Sequence, residues 1–271
     1  MISFLTKLWT FVKRGFAINF SYKVYAVLGI LGMLIGVLRF GFMAQFLQMG
    51  NSFPALSLYG GNLMAYFITG GAYMSYVSVA MNSFHSAIRS EQSMGTLEYL
   101  LMSDTPLWQI LTFSGITSFL WTTLNVGMIF IFLVAVFNVQ MKINIWLSLF
   151  ILVLSVICIG GIGLTSAGII MVTKKGDPVS WTFTTLSGLV SGVFFPISIL
   201  PIWIRWTSYM MPTTYAIRAL RKALLVNASF SSVKESVLIL VLMSFITVPA
   251  GLLTFRWGFN KAREKGSLVE Y

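Results

Sequence analysis

The chain has 271 residues, of which 57% are hydrophobic and 9% charged, with 18 Lys and Arg against 7 acids and a net charge of +11. Its mean hydropathy is +0.87, too apolar for a soluble domain to cover, and this marks a multi-span helical membrane protein. The cations gather at the ends of apolar runs, so they read as membrane anchors and not as a nucleic-acid surface.

Residues 2–20 interleave Trp9, Lys13 and Arg14 with apolar positions, as an amphipathic helix lying in the membrane interface does. No compact apolar core with a small-residue cleavage site precedes the first long apolar run, so a cleaved signal peptide is not expected. A helix needs about 20 apolar residues to cross a bilayer core of about 30 Å. Six segments qualify as spans, 24–47, 62–84, 107–137, 145–173, 181–195 and 237–255, the fifth being short and running into Pro196.

Six spans place both termini on one side. Lys7, Lys13, Arg14, Lys23, Arg89, Lys174, Lys175, Arg256, Lys261, Arg263 and Lys265 share that side, and six cations face the other. The excess makes it cytoplasmic.

Arg39 falls in the outer third of the first span, where it either snorkels to headgroups or faces a polar cavity. On the second span Asn62, Tyr66, Thr69, Tyr73 and Tyr76 recur at steps of three and four, one helical face. Such hydroxyls in mid-membrane need partners, either on neighbouring helices or on a substrate path. Ser114, Ser118, Thr122 and Asn125 form a weaker face on the third span. The fourth and fifth spans are rich in small residues, and Gly188-x-x-x-Gly192 reads as a helix-packing motif. Residues 196–226 hold Pro196, Pro201 and Pro212 amid apolar and aromatic residues. The stretch is too apolar for a solvated loop and too broken for a span, which predicts a re-entrant helix pair. Pro249 is expected to kink the last span.

The chain holds no phosphate-loop motif, one histidine (His85, read as a helix-end interfacial residue), one cysteine (Cys158) and no intramembrane carboxylate pair. These exclude an ATPase site, a His-based metal cluster and a Ser-His-Asp triad within one chain. They also argue against an ion-coupled carrier. The chain thus carries no visible chemistry of its own.

Three of the seven acids, Glu91, Glu98 and Asp104, sit together in 89–106, a polar stretch between two apolar runs. Its segment Glu91-Gln-Ser-Met-Gly95-Thr96-Leu97-Glu98-Tyr-Leu100-Leu101, ending at Ser103 and Pro106, resembles the cytoplasmic signature of ABC-2 type transporter permeases. Gly192-x-x-Phe195-Pro196, Leu200-Pro201-x-Trp203 and Pro212-x-Thr214-Tyr215 with Arg218 resemble the same family's external re-entrant region. Asp104-Thr105 departs from the apolar residue usual there.

The resemblance implies a single transmembrane domain over 1–271 that is all-α. It would have six transmembrane helices, an N-terminal interfacial helix, a cytoplasmic coupling helix and an external re-entrant pair. It implies a half-transporter in the cell membrane, pairing with a second copy or paralogue and with separate ABC ATPase subunits that bind ATP and Mg. No cofactor is expected on this chain. Glu91, Gly95, Thr96, Leu97, Glu98, Leu100 and Leu101 would dock on the ATPase. Arg39, Tyr66, Thr69, Tyr73, Tyr76 and Asn125 would line the path of a lipid, glycan-lipid, polysaccharide or hydrophobic drug-like substrate. Pro196, Pro201, Trp203, Pro212, Tyr215 and Arg218 would form an outer gate. The competing reading is a permease-like subunit that assembles or senses without transporting.

Overall fold

The computed structural model describes residues 4–21, 23–48, 54–93, 106–139, 141–173 and 177–264. Among them every regular element is helical: α1 Phe4–Ser21, α2 Lys23–Gln48, α3 Leu63–Ser93, α4 Leu107–Phe137, α5 Ile145–Thr173, α6 Pro178–Val190, α7 Ile202–Met210, α8 Pro212–Leu225 and α9 Phe230–Glu264. Short 3-10 turns lie at Pro54–Tyr59 and Ile197–Ile199. Among the described residues five helical segments are long and apolar enough to cross a membrane, Val27–Leu47, Leu63–Arg89, Trp108–Phe137, Ile145–Thr173 and Phe230–Glu264. The protein is a multi-pass membrane protein.

The predicted third and fourth spans coincide with α4 and α5, because uninterrupted apolar sequence has no alternative to internal hydrogen bonding. The predicted fifth span, 181–195, does not form as one helix. α6 has 13 residues, about 20 Å, and stops at Val190. The chain then turns at Gly192, whose φ of +79° is a left-handed conformation that glycine adopts without strain. This also corrects the packing motif. Gly192 lies beyond the helix, and a Cβ on Gly188 would meet only the Phe194 ring, at 3.7 Å, so the pair is not a helix-packing stripe. α3 runs nine residues past the predicted end of its span, so Arg89 and the backbone of Glu91 are helical.

The dense packing is between α5 and α9. A Cβ on Gly161 would strike the Thr247 carbonyl group, and one on Gly168 that of Thr254. From the other side, Gly251 lies against the Gly161 carbonyl and Gly258 against that of Gly168. Backbone therefore meets backbone at two levels seven residues apart, a spacing that keeps one seam in register between parallel helices. Thr247 Oγ1 donates to the Cys158 carbonyl at 2.9 Å across the same seam. α9 passes through Pro249 without a break.

α1 carries Phe4 and Phe11 onto Phe113, at 5.0 and 5.9 Å between ring centroids. Further along, its Phe16 and Phe20 meet Trp121 at 5.5 and 5.4 Å. Its aromatic face therefore runs beside α4 in the same direction. α2 is peripheral, with most of its described apolar side chains facing outward.

Asn144 starts α5 by accepting from Leu147 N at 3.3 Å, and its own N–H donates to the Ala223 carbonyl at 2.9 Å. Asp177 starts α6, accepting from Ser180 N at 2.8 Å and from the Ser166 hydroxyl. His85, half-buried on α3, lies near Asp177.

Gly→Ala substitutions test the seam. In a helix interior this change ordinarily stabilises by about 0.5–1 kcal/mol, and Gly127, with nothing within 4 Å of an added Cβ, should follow that sign. Gly251→Ala should reverse it, because the methyl lands on the Gly161 carbonyl. Thermal unfolding of the two purified variants, followed by size-exclusion chromatography, reads the opposite shifts.

Candidate functional site: a buried arginine at the broken helix

The three prolines of the re-entrant stretch each open a helix. Pro196 precedes the 3-10 turn, Pro201 precedes α7, and Pro212 is the first residue of α8, where its missing N–H costs nothing. α7 is tied to α8 by Thr214 Oγ1 donating to the Ser208 carbonyl at 2.6 Å and the Tyr215 hydroxyl donating to Tyr209 O at 2.8 Å. Arg205 folds back on the preceding turn, with Nε donating to Leu200 O at 2.8 Å and Nη2 to Ser198 O at 2.5 Å. Trp203 stands on the outward face of α7, three-quarters exposed. α8, by contrast, is sunk into the protein, with Ala216, Ile217, Ala219, Leu220 and Ala223 buried in the core shared with α3, α5 and α9.

On the buried side of α8 lies Arg221, 1% exposed. Its Nη1 donates to Gly192 O at 2.6 Å, and its Nη2 to Tyr66 O at 2.9 Å and Val193 O at 2.5 Å. Nε donates to Thr69 Oγ1 at 3.3 Å. The guanidinium carbon lies 3.4 Å from the centroid of the Tyr66 ring, a cation–π stack, and the Tyr66 hydroxyl donates to Gly192 O at 2.7 Å. Tyr59, from the 3-10 turn after α2, closes the far side, its ring tilted on Tyr66 at 5.8 Å. One planar cation thus joins α3, α8 and the chain just beyond the end of α6. Gly70 makes the approach possible, since a Cβ there would collide with the Val193 carbonyl and lie 2.9 Å from Arg221 Nη2.

The arrangement answers a specific need. A helix that stops inside a membrane leaves carbonyls that no water reaches, and each costs several kcal/mol if unpaired. The fork of Arg N–H groups matches several carbonyl oxygens at once.

Of the residues singled out in the sequence, Tyr66 and Thr69 belong to this cluster and are buried within one chain. Tyr73 is buried beside Ser155 of α5, its hydroxyl without a closed hydrogen bond. Tyr76 donates to Thr123 Oγ1 of α4 at 3.2 Å, and Asn125 lies half-buried further along α4. Arg39 is apart from all of them, exposed on α2 with its guanidinium 5.1 Å from the Phe40 ring. Gly95, Thr96, Leu97, Glu98, Leu100 and Leu101 lie outside the described residues, as does the side chain of Glu91.

Arg221 itself was missed, being counted only as one of six outer-side cations. The available signal was its register: four residues from Ile217 and four from Leu225, it shares their buried face.

Arg221→Met should leave the Val193 and Tyr66 carbonyls without that partner and lower stability by about 3 kcal/mol or more. Arg221→Lys keeps the charge but not the fork, and should fall between. Thermal unfolding of both variants in detergent measures the order.

Comparison with protein families matches residues 6–225 to the ABC-2 type transporter description. No curated protein matches the chain. The matched span takes in residues 89–106 and the Arg221 cluster, and the chain belongs to the ABC-2 type transporter family.

Proposed function

We propose that this protein is the membrane half of an ATP-driven exporter, working as a pair of permease chains with two separate ABC ATPase subunits in the cell membrane. The observation that carries the reading is the continuity of α3. Its 31 residues form one rod of about 46 Å. One end is held to α8 and to the end of α6 by Arg221; the other leads straight into residues 94–105. A displacement delivered by an ATPase at Ser93 would therefore travel along one continuous helix to the elements that Arg221 joins, as a rigid-body transmission requires.

Within this reading both termini are cytoplasmic. Glu91 and Glu98 pair with basic groups of the ATPase while Leu97, Leu100 and Leu101 supply an apolar knob, and ATP with its Mg binds on that partner. The break after α6, the 3-10 turn and α7 form the outer gate, with Pro196, Pro201, Pro212, Trp203, Tyr215 and Arg218 among its residues. The hydrogen bonding of Tyr66 and Thr69 within the chain supports a bracing role for them. The α3–α4 seam, with Tyr76 and Asn125, and the exposed Arg39 remain for a substrate path. The substrate is a lipid, a glycan-lipid, a polysaccharide or a hydrophobic drug-like molecule.

Two experiments bear on this. In a Cys158→Ser background, a membrane-impermeant maleimide should label Ser198→Cys in intact cells but Ser103→Cys only after permeabilisation. Reversed labelling would overturn the orientation, and labelling of both from outside would deny that the chain changes sides between them. Glu98→Arg should insert and unfold like the parent, yet lose at least about tenfold in ATPase capture, the cost of turning one attractive contact into a repulsive one. ATP-driven export in vesicles should fall with it, and normal export by this variant would remove the docking role.

A further inference from the structure

The chain's outer pocket, about 310 Å³, opens between the 3-10 turn at Pro54–Tyr59, the break after α6, and helices α7 and α8. Three arginines line it, Arg205, Arg218 and Arg221, and no acidic residue does. This is an uncommon concentration in a chain with 18 basic residues spread along its length.

The three differ in how their donors are spent. Arg221 is buried at the floor and has given four hydrogen bonds to neutral oxygens, so its charge meets dipoles but no described carboxylate. A guanidinium offers five N–H groups, which leaves one on Nη1 uncommitted. Arg205 gives Nε and Nη2 to carbonyls, and its Nη1 makes no hydrogen bond among the described residues. Arg218, exposed one turn from Arg221 on α8, makes no hydrogen bond or ion pair among the described residues. A buried cation without a counter-ion, roofed by two arginines with free donors, creates a positive field in low-dielectric surroundings. The hydroxyl-bearing Ser198 and Tyr59 complete a polar lining next to apolar Ile197 and Leu58.

We propose that this pocket binds a phosphate-class anionic group, with Arg218 as the principal ligand and Arg205 as the second, the charge of Arg221 holding the field from below. Arginine forks match phosphate oxygens two at a time, which suits this chemistry over a single point charge. The pocket lies beside the exposed apolar face of α7, Ile202, Trp203 and Trp206, against which an apolar tail can rest. The group is therefore the head of an amphiphile. The inference builds on the exporter reading by giving the substrate an anionic phosphate head, although the binding itself requires no ATPase.

The test uses the purified full chain without any ATPase. Native mass spectrometry counts retained lipid after titration with phosphatidylglycerol or with phosphatidylcholine, for the parent and for Arg218→Gln. In parallel, inorganic phosphate is titrated against thermal unfolding in phosphatidylcholine nanodiscs. The parent should retain phosphatidylglycerol over phosphatidylcholine, and Arg218→Gln should lose about tenfold of that preference, the worth of one charge-assisted hydrogen bond. Arg218→Lys should keep part of it.

If instead inorganic phosphate alone stabilises the parent and not Arg218→Gln, the pocket still takes a phosphate, from a soluble source. The proposal fails if the parent shows neither preference, a result that needs no variant. It fails equally if Arg218→Gln binds both probes as the parent does. Because no ATPase is present, loss of export in the Glu98 variant and loss of binding here fail independently.

Discussion

The structure depends on one set of hydrogen bonds, those between the Arg221 guanidinium and the backbone that follows α6. α6, about 20 Å long, is too short to cross the membrane, and the chain just beyond it bears carbonyls at Gly192 and Val193 that no helix pairs. Two solutions exist for such an end: continue the helix, or import donors. The first is not taken: the chain turns left-handed at Gly192, and Pro196 offers no N–H to resume the ladder. Arg221 supplies the second. The cost is a buried cation, and it is offset by three carbonyl dipoles, a hydroxyl and the face of Tyr66 at 3.4 Å. No single one of these contacts would suffice, because desolvating a guanidinium costs several kcal/mol and each bond returns about 1.5–3. The cluster is favourable because these contacts act together.

Around this brace the bundle uses two kinds of contact with different stiffness. Between α5 and α9, backbone touches backbone at the Gly161–Gly251 and Gly168–Gly258 levels, and nothing there can yield except by moving whole helices. Between α1 and α4, and between α3 and α4, the contacts run through side chains: aromatic rings, the Thr117 methyl against Gly15, Ala72 clustered with Val126, and the Tyr76–Thr123 hydroxyl pair. Rings slide and rotate over one another at small cost. The first kind makes α5 and α9 one body, into which α8 is packed through Ala216, Ala219 and Ala223. The second leaves α4 and α1 joined to that body by the softer seam.

How far the sequence foretold this follows from what hydropathy can register. α4 and α5 were legible to the residue, since an unbroken apolar run bounded by polar or proline residues has one outcome in lipid. The breaks at Pro196, Pro201 and Pro212 were legible too, because the three prolines cannot lie inside one span, and each of them opens a new helical element. The stop at Val190 was not, for the chain stays apolar through Val193, Phe194 and Phe195, and hydropathy cannot distinguish a helix from a turn built of the same residues. The Tyr66–Thr69 face was visible as a face, but periodicity says only that a partner is required. The partner stood 152 residues away from Thr69, on a helix that periodicity alone does not set against α3. Gly192 was noticed for its spacing from Gly188 and turned out to matter for its dihedral angle. Spacing reports neighbours along a helix; it is silent on where the helix ends. For residues 94–105 the only reading is that of the sequence, since they lie outside the described residues.

The brace also constrains how the outer end can move. Arg221 on α8 holds α3 by the Tyr66 carbonyl and the Thr69 hydroxyl, and holds the α6 end by Gly192 and Val193. Tyr66 adds a direct bond from α3 to Gly192. Any motion that parts α3 from α8 must break two bonds of the guanidinium and its ring stack together. A motion that carries α3, α8 and the α6 end as one breaks none of them. The second path is cheaper by several kcal/mol, so a displacement of α3 tends to be delivered to the re-entrant helices undivided, with the relative movement taken up where the contacts are soft. α3 and α4 meet along such a seam at Tyr76 and Phe119. Rigidity at the arginine and compliance at Tyr76 are thus parts of one arrangement, and α3 carries the two contact points, Tyr66 and Tyr76, less than three turns apart.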